Sequence, residues 1–133
     1  MTSNQSIILK TFNTQFESFL NEMIEIFPDN VALMTTKNTL LTLKKFNPKL
    51  LIGVWYRHIW LPYKNDISAG DVKFFIEKDY SADLQNLDDA KKIMKEIDNF
   101  RDPIRSMDEE NQQCCMKYIV NLSKLSEAYS ENN

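Results

Sequence analysis

The sequence predicts an all-α protein, a compact single-domain bundle of five or six helices over residues 1–133. Only two glycines and four prolines interrupt the 133 residues. Most apolar residues recur at spacings of three and four, which places them on one face of a helix. A chain of this length buries a core large enough to fold without a disulfide or a metal. We expect residues 1–5 and 130–133 to fray.

The first part of the chain predicts two helices. Apolar residues form one stripe over residues 6–27, and the proline that follows ends the helix. Asp29 or Asn30 can cap the second helix, which we expect to end near Phe46. The stripe of the first helix consists of Leu9, Phe12, Phe16, Phe19, Leu20, Met23 and Phe27. We expect this Phe-rich stripe to pack against the last helix of the chain.

The middle of the chain predicts a third helix that a proline interrupts. Asn47 is suited to cap this helix and Pro48 to occupy its first position, because proline lacks the N–H that would be unpaired there. Pro62 must kink or end the helix, since it donates no hydrogen bond and its ring excludes the carbonyl four residues earlier. A short helical piece continues to Ala69, where Gly70 can adopt the left-handed conformation that closes a helix.

The last part of the chain predicts a brief helix, a loop and two further helices. Asp71 caps the brief helix "VKFFIEK", and "DYSADLQNLDD" forms the loop. A fifth helix starts at Asp88 and bends near Pro103. Ser106 and Glu109 have the spacing of a capping box and start the last helix. The stripe of that helix consists of Cys115, Tyr118, Leu122, Leu125 and Tyr129.

The sequence lacks the residues that most catalytic and metal sites need. Cys114 and Cys115 are adjacent, a spacing unsuited to a disulfide, and no C-x-x-C spacing is present. His58, the single histidine, shares a helix face with apolar residues, so a core histidine paired with a backbone carbonyl is favoured over a catalytic base. Two isolated glycines do not form a phosphate-binding loop. We therefore predict no catalytic residue, no metal and no cofactor, and a protein that is not an enzyme.

Charge is distributed unevenly along the chain. No acidic residue lies between Asp29 and Asp66. The remainder of the chain carries a net charge of -9, although the whole protein has a net charge of only -3. The six positive residues of the acid-free segment are Lys37, Lys44, Lys45, Lys49, Arg57 and Lys64.

The aromatic stretch "GVWYRHIWLPYK", residues 53–64, lies within this segment. At 100° per residue, basic and aromatic residues of the third helix fall within one arc and Trp55 falls on the opposite, core side. Trp60 is therefore predicted to be exposed on a basic outer face. The residues predicted to bind a partner there are Lys49, Tyr56, Arg57, Trp60 and Lys64.

Three interpretations of this basic face remain open. It packs against acidic helices of the same chain, it docks a protein, or it binds nucleic acid. The overall pI of about 5.2 disfavours nucleic acid, because the surrounding negative charge repels a polyanion. A protein partner, either a different protein or self, is thus preferred, and a homo-oligomer can be head-to-tail or symmetric. The absence of a long apolar run or signal-peptide pattern predicts no membrane partner and a cytoplasmic location.

Four segments carry a resemblance to a group of viral proteins: "FNTQFESFL", "IFPDN", "KFNPKLLIGVWYRHIWLPY" and "FRDPIRSM". With them the chain is similar to small all-helical proteins encoded by large nucleocytoplasmic DNA viruses of eukaryotes. The resemblance spans most of the chain and implies a protein made in the host cytoplasm. It also implies a role as a minor structural or adaptor component of the virion or of the viral factory.

Overall fold

A computed structural model describes residues 4–71, 95–96, 99 and 101–131 of the chain. Every regular element in these ranges is a helix and none is a strand, which confirms the all-α prediction. No helix within the same ranges is both long enough and apolar enough to cross a membrane. The brief helix predicted after Asp71, the loop that follows it and much of the predicted fifth helix lie outside the described residues.

The described elements are six α-helices and one π-helix. Residues 4–5 and 130–131, which were expected to fray, are helical. The bend predicted near Pro103 involves residues 97–98 and 100, which lie outside the described part of the chain. The elements are α1 (Asn4–Ile26), α2 (Val31–Phe46), α3 (Leu50–Trp55), the π-helix (Tyr56–Trp60), α4 (Leu61–Ser68), α5 (Arg101–Ser106) and α6 (Glu109–Glu131).

The core is centred on the packing of α1 against α6, as the Phe-rich stripe predicts. Phe12, Phe16 and Phe19 on α1 are all buried. The ring of Phe19 stacks on Tyr118 of α6, with ring centroids 5.2 Å apart and an angle of 20° between the planes. The α3 helix and the π-helix pack on α6 as well, so the segment containing both tryptophans lies in the middle of the bundle.

Two helix ends agree with the sequence prediction. The side chain of Asn30 caps α2, because its Oδ1 accepts a hydrogen bond from the backbone N–H of Leu33 at 3.2 Å. Gly70 has a φ of +72°, the left-handed conformation that glycine adopts without steric cost, and it follows the end of α4.

Two helix starts differ from the prediction. The capping box of Ser106 and Glu109 is wrong: Ser106 still belongs to α5, and Oδ1 of Asp108 accepts the N–H of Asn111 at 2.8 Å to cap α6. The third helix starts at Leu50 instead of Pro48. Oδ1 of Asn47 accepts the N–H of Lys49, two residues later, at 3.2 Å, so the chain makes a turn there before the helix begins.

The interruption predicted at Pro62 takes the form of a π-helix. Pro62 cannot donate to the carbonyl four residues earlier, and the preceding turn widens so that the N–H of Leu61 reaches the carbonyl of Tyr56. Tyr63 then has a non-helical conformation, with φ of −128° and ψ of 24°. The wider turn rotates the chain through a smaller angle per residue, which changes the direction in which the residues after Tyr56 point.

Candidate functional site

An exposed basic and aromatic surface lies where α2 turns into α3. We define the α2–α3 corner as Lys44, Lys45, Phe46, Pro48 and Lys49. The α2 helix ends at Phe46 because the next residue adopts an extended backbone, with φ of −148° and ψ of 92°. The two lysines in the last turn of α2 are stabilising there, because positive charge complements the negative end of the helix dipole.

Phe46 is 85% exposed and is the only aromatic among the large apolar side chains exposed in the described part of the chain. The buried face of α2 consists of Leu33, Thr36 and Leu40. At 100° per residue, Phe46 lies roughly 110° from the centre of that face, so its ring points away from the core. The sequence prediction used Phe46 only as the end of a helix, although the same projection of α2 would have identified its exposure.

The α2–α3 corner is tied to α1 by two polar contacts. Nδ2 of Asn13, a buried residue, donates a hydrogen bond to the carbonyl of Pro48 at 3.1 Å. Nζ of Lys44 lies 3.8 Å from Oε2 of Glu17. This ion pair offsets part of the charge of Lys44, so Lys45 and Lys49 supply most of the accessible positive charge.

A groove with a volume of about 470 Å³ runs between α1 and the α2–α3 corner. Its lining is mixed, with two lysines, three small polar residues and two apolar residues. The lining residues are Ser6, Leu9, Lys10, Asn13, Thr14, Lys44 and Pro48. The groove therefore combines apolar surface and positive charge, and it shares Lys44 and Pro48 with the α2–α3 corner.

The predicted exposure of Trp60 is wrong, because Trp60 is only 6% exposed. Its indole Nε1 donates a hydrogen bond to Oε2 of Glu127 on α6. The physical reason is the π-helix, whose wider turn rotates the chain through a smaller angle per residue than an α-helix does. Trp60 is therefore rotated less far around the helix axis than an uninterrupted α-helix would place it, and it lies on the side that faces α6.

The other residues predicted to bind a partner lie at or near the surface. Lys49, Arg57 and Lys64 are exposed, whereas Tyr56 is half-buried and packs against the core. The guanidinium of Arg57 lies over Gly53, where an added Cβ would be 3.4 Å from one of its nitrogens. Arg57 therefore extends back along α3, in the direction of Lys49, and the basic part of the predicted face is retained without its tryptophan.

Trp55 lies in the core, as predicted, and is fully buried. Its Nε1 donates to Oγ of Ser123 at 2.8 Å, and that hydroxyl donates to the carbonyl of Ile119 at 2.8 Å. Sequence analysis missed Ser123 and also Glu127, the partner of Trp60. Each lies more than 60 residues from its tryptophan, and no local pattern indicates such a pairing.

The two cysteines are free thiols in different environments. Cys114 is exposed, whereas Cys115 is buried and its Sγ lies 3.5 Å from Sδ of Met107. Burial, with smaller contributions from Cys114 and Glu22, raises the pKa of the Cys115 thiol from 9.0 to about 12. Cys115 is therefore a protonated core residue at neutral pH, and only Cys114 is accessible to a reagent.

Alkylation is expected to distinguish the two thiols. With iodoacetamide at about pH 8, the native protein should gain one label, at Cys114, and the unfolded protein two, because the thiolate is the reactive form and Cys115 is buried and protonated. Peptide mass spectrometry locates the labels. Equal labelling of both cysteines in the native protein would contradict the assignment of Cys115 as a buried, protonated thiol.

The free energy of unfolding should also fall above about pH 9, since the Cys115 thiol of the unfolded chain ionises there while that of the folded chain keeps its proton.

Neither His58 nor the cysteines belong to a metal-binding group in the part of the chain that the structure covers. No cluster of three or more His, Cys, Asp or Glu side chains suitable for a metal ion occurs among those residues. His58 itself is half-buried in the π-helix. No protein-family model, curated protein or solved structure matches the chain.

Proposed function

We propose that this protein is a non-enzymatic helical interaction protein that binds an acidic protein partner through the α2–α3 corner. The observation that carries the proposal is the exposure of Phe46, at 85%, between basic residues and without an acidic residue from position 30 to position 65. Residue 46 is the aromatic anchor in this proposal, in place of Trp60, and Lys45 and Lys49 supply the charge.

The chemistry of the corner favours a protein partner. A large aromatic side chain left in water is available to bury its ring against another surface, and aromatic residues are enriched at the centres of protein interfaces. The neighbouring lysines attract an acidic surface from a distance and reject a basic one. The groove that shares Lys44 and Pro48 with the corner gives room for a side chain of the partner.

The cellular setting of the proposal comes from the viral resemblance. Small helical proteins of large DNA viruses are candidates for minor virion components or for adaptors in the viral factory. A protein that uses one exposed aromatic corner to hold an acidic partner fits either role. The proposed docking surface does not depend on this viral setting, and substitutions in the α2–α3 corner test it directly.

Replacing Phe46 with Ala is expected to abolish capture of the partner while leaving the melting temperature within a few degrees of the original. The ring contributes little to the core because it is exposed, whereas its loss removes the anchor of the interface. The measurement is quantitative affinity capture from infected or expressing cells with the original and altered proteins as bait. Leu61→Ala, which truncates another exposed apolar residue away from the corner, is the matched control.

Two outcomes would contradict the proposal. If Phe46→Ala and Leu61→Ala capture the same proteins as the original chain, the corner is not the binding surface. If the material captured through the corner is nucleic acid, binding should fall steeply as salt is raised and reversal of Lys45 should cost as much as loss of Phe46. Anchoring by an apolar ring predicts the opposite order, with Phe46 dominant and a weaker dependence on salt.

A further inference from the structure

Two oppositely charged segments follow each other along the chain. Residues 11–36 contain four acidic residues and no Lys or Arg, and residues 30–65 contain six basic residues and no acidic residue. The acidic segment covers most of α1, the turn after it and the start of α2, whereas the basic segment extends from α2 through most of α4. Along the sequence, α2 therefore begins in an acidic segment and ends in a basic one, and Glu17 of the acidic segment pairs with Lys44 in the last turn of α2.

The acidic end of α2 carries an exposed apolar cluster of its own. We define the α1–α2 junction as Ile26, Val31 and Met34, which are 39%, 73% and 48% exposed. Val31 and Met34 are three residues apart and therefore share a face of α2, and Ile26 is the last residue of α1. Exposed carboxylates flank this cluster at Glu25 and Asp29.

The α1–α2 junction and Phe46 are complementary but lie too far apart to meet within one chain. Val31 is the first and Phe46 the last residue of α2, a helix of 16 residues. At 1.5 Å per residue the helix separates them by roughly 20 Å, and its hydrogen bonds keep it rigid. The two surfaces of one copy therefore do not cover each other, and a second copy of this chain presents the apolar and acidic groups that complement each of them.

We propose that the acidic partner of the α2–α3 corner is a second copy of this chain, an inference that rests on the function proposed above. Phe46 of one copy packs against Val31 and Met34 of the next, and Lys45 and Lys49 face the carboxylates of Glu25 and Asp29. The contact joins two different surfaces, which allows two arrangements. Copies that use their two surfaces on two different neighbours form a head-to-tail ring or filament, whereas two copies that exchange the contact reciprocally close as a symmetric dimer, and the mass reached at high concentration distinguishes them.

The size of the contact predicts weak association. A phenylalanine buries about 150–250 Å² when covered, against roughly 800 Å² per partner in a stable dimer. Assembly should therefore be visible only at high protein concentration or when copies are held close together. Salt should weaken it partly, because it screens the lysine–carboxylate attraction but leaves the apolar contact.

Analytical ultracentrifugation over a range from ~10 µM to ~1 mM tests the proposal. The average mass of the original chain should rise with concentration. Phe46→Ser and the double variant Val31→Ser/Met34→Ser should each stay monomeric. An equimolar mixture of these two should form a dimer and stop there, because one variant keeps its junction and the other keeps its Phe46. Leu61→Ser, which changes an exposed residue of neither surface, should assemble like the original chain.

A charge exchange gives a second measurement that leaves the apolar residues in place. Lys45→Glu/Lys49→Glu should remove assembly, and mixing it with Glu25→Lys/Asp29→Lys should restore a contact between the two reversed surfaces. All substituted residues are exposed, and circular dichroism melting confirms that each variant folds.

Three results would overturn the inference. A monomeric original chain at ~1 mM would show that no second copy binds. Failure of the serine mixture to dimerise, with both variants folded, would exclude a contact between the corner and the junction, and assembly that survives Phe46→Ser would exclude the corner as its surface. None of these results removes the proposed function if Phe46→Ala still prevents capture of a different acidic protein. If the chain self-assembles as expected but Phe46→Ala captures the same cellular proteins as the original chain, the self-contact stands and the corner does not bind a different protein.

Discussion

Replacing Trp55 with Ala is expected to lower the free energy of unfolding by about 3–5 kcal/mol. The indole is fully buried, and its ring packs edge-on against Phe12, at a centroid distance of 6.3 Å, and against Phe16, at 5.8 Å. Truncation leaves a cavity beneath α1, and it also removes the indole N–H that donates to the Ser123 hydroxyl. Because small domains are stable by only about 5–15 kcal/mol, much of the fold stability would be lost.

Urea denaturation followed by circular dichroism measures this effect. Ser123→Ala is the matched variant, because it leaves the indole in place but removes the acceptor of its N–H, at an expected cost of about 1–3 kcal/mol. The cost of Trp55→Ala should exceed that of Ser123→Ala, since the first also loses the packing of a large ring. A Trp55→Ala protein as stable as the original would show that α1 and α3 do not pack through this residue.

Replacing Trp60 with Ala is expected to destabilise the protein by a similar amount, about 3–5 kcal/mol, because the ring is buried between the π-helix and α6. The substitution also leaves the carboxylate of Glu127 without its indole donor. Trp60→Phe keeps a six-membered ring in the core and removes the five-membered ring with its N–H, so it should cost less than Trp60→Ala. Thermal melting of the two variants measures this difference.

The comparison with Phe46→Ala decides which aromatic side chain is core and which is surface. Trp60→Ala should lower the melting temperature strongly, whereas Phe46→Ala should leave it almost unchanged and affect only association. The reverse order, with a stable Trp60→Ala protein and an unstable Phe46→Ala protein, would show that Trp60 is exposed and Phe46 is buried. The binding surface would then be the basic face predicted from the sequence.

The burial of Trp60 illustrates how far a helical projection can be carried along a sequence. The projection assigns Trp55 to the core correctly, because the chain from Leu50 to Trp55 is regular α-helix. It fails five residues later, because it assumes 100° per residue through a turn that Pro62 widens into a π-helix. The position of the interruption is visible in the sequence, but the rotation that follows from it is not.

The sequence by itself determined the local features: the all-α class, a cap at Asp29 or Asn30, of which the structure uses Asn30, the closure at Gly70 and the interruption at Pro62. These depend on the conformational preferences of single residues and on spacings within a few turns. It also determined the acid-free basic segment. Only the tertiary structure decided that Trp60 is buried against Glu127 and that Phe46 is exposed, because these outcomes depend on contacts between residues far apart in the chain and on the course of the helices that carry them.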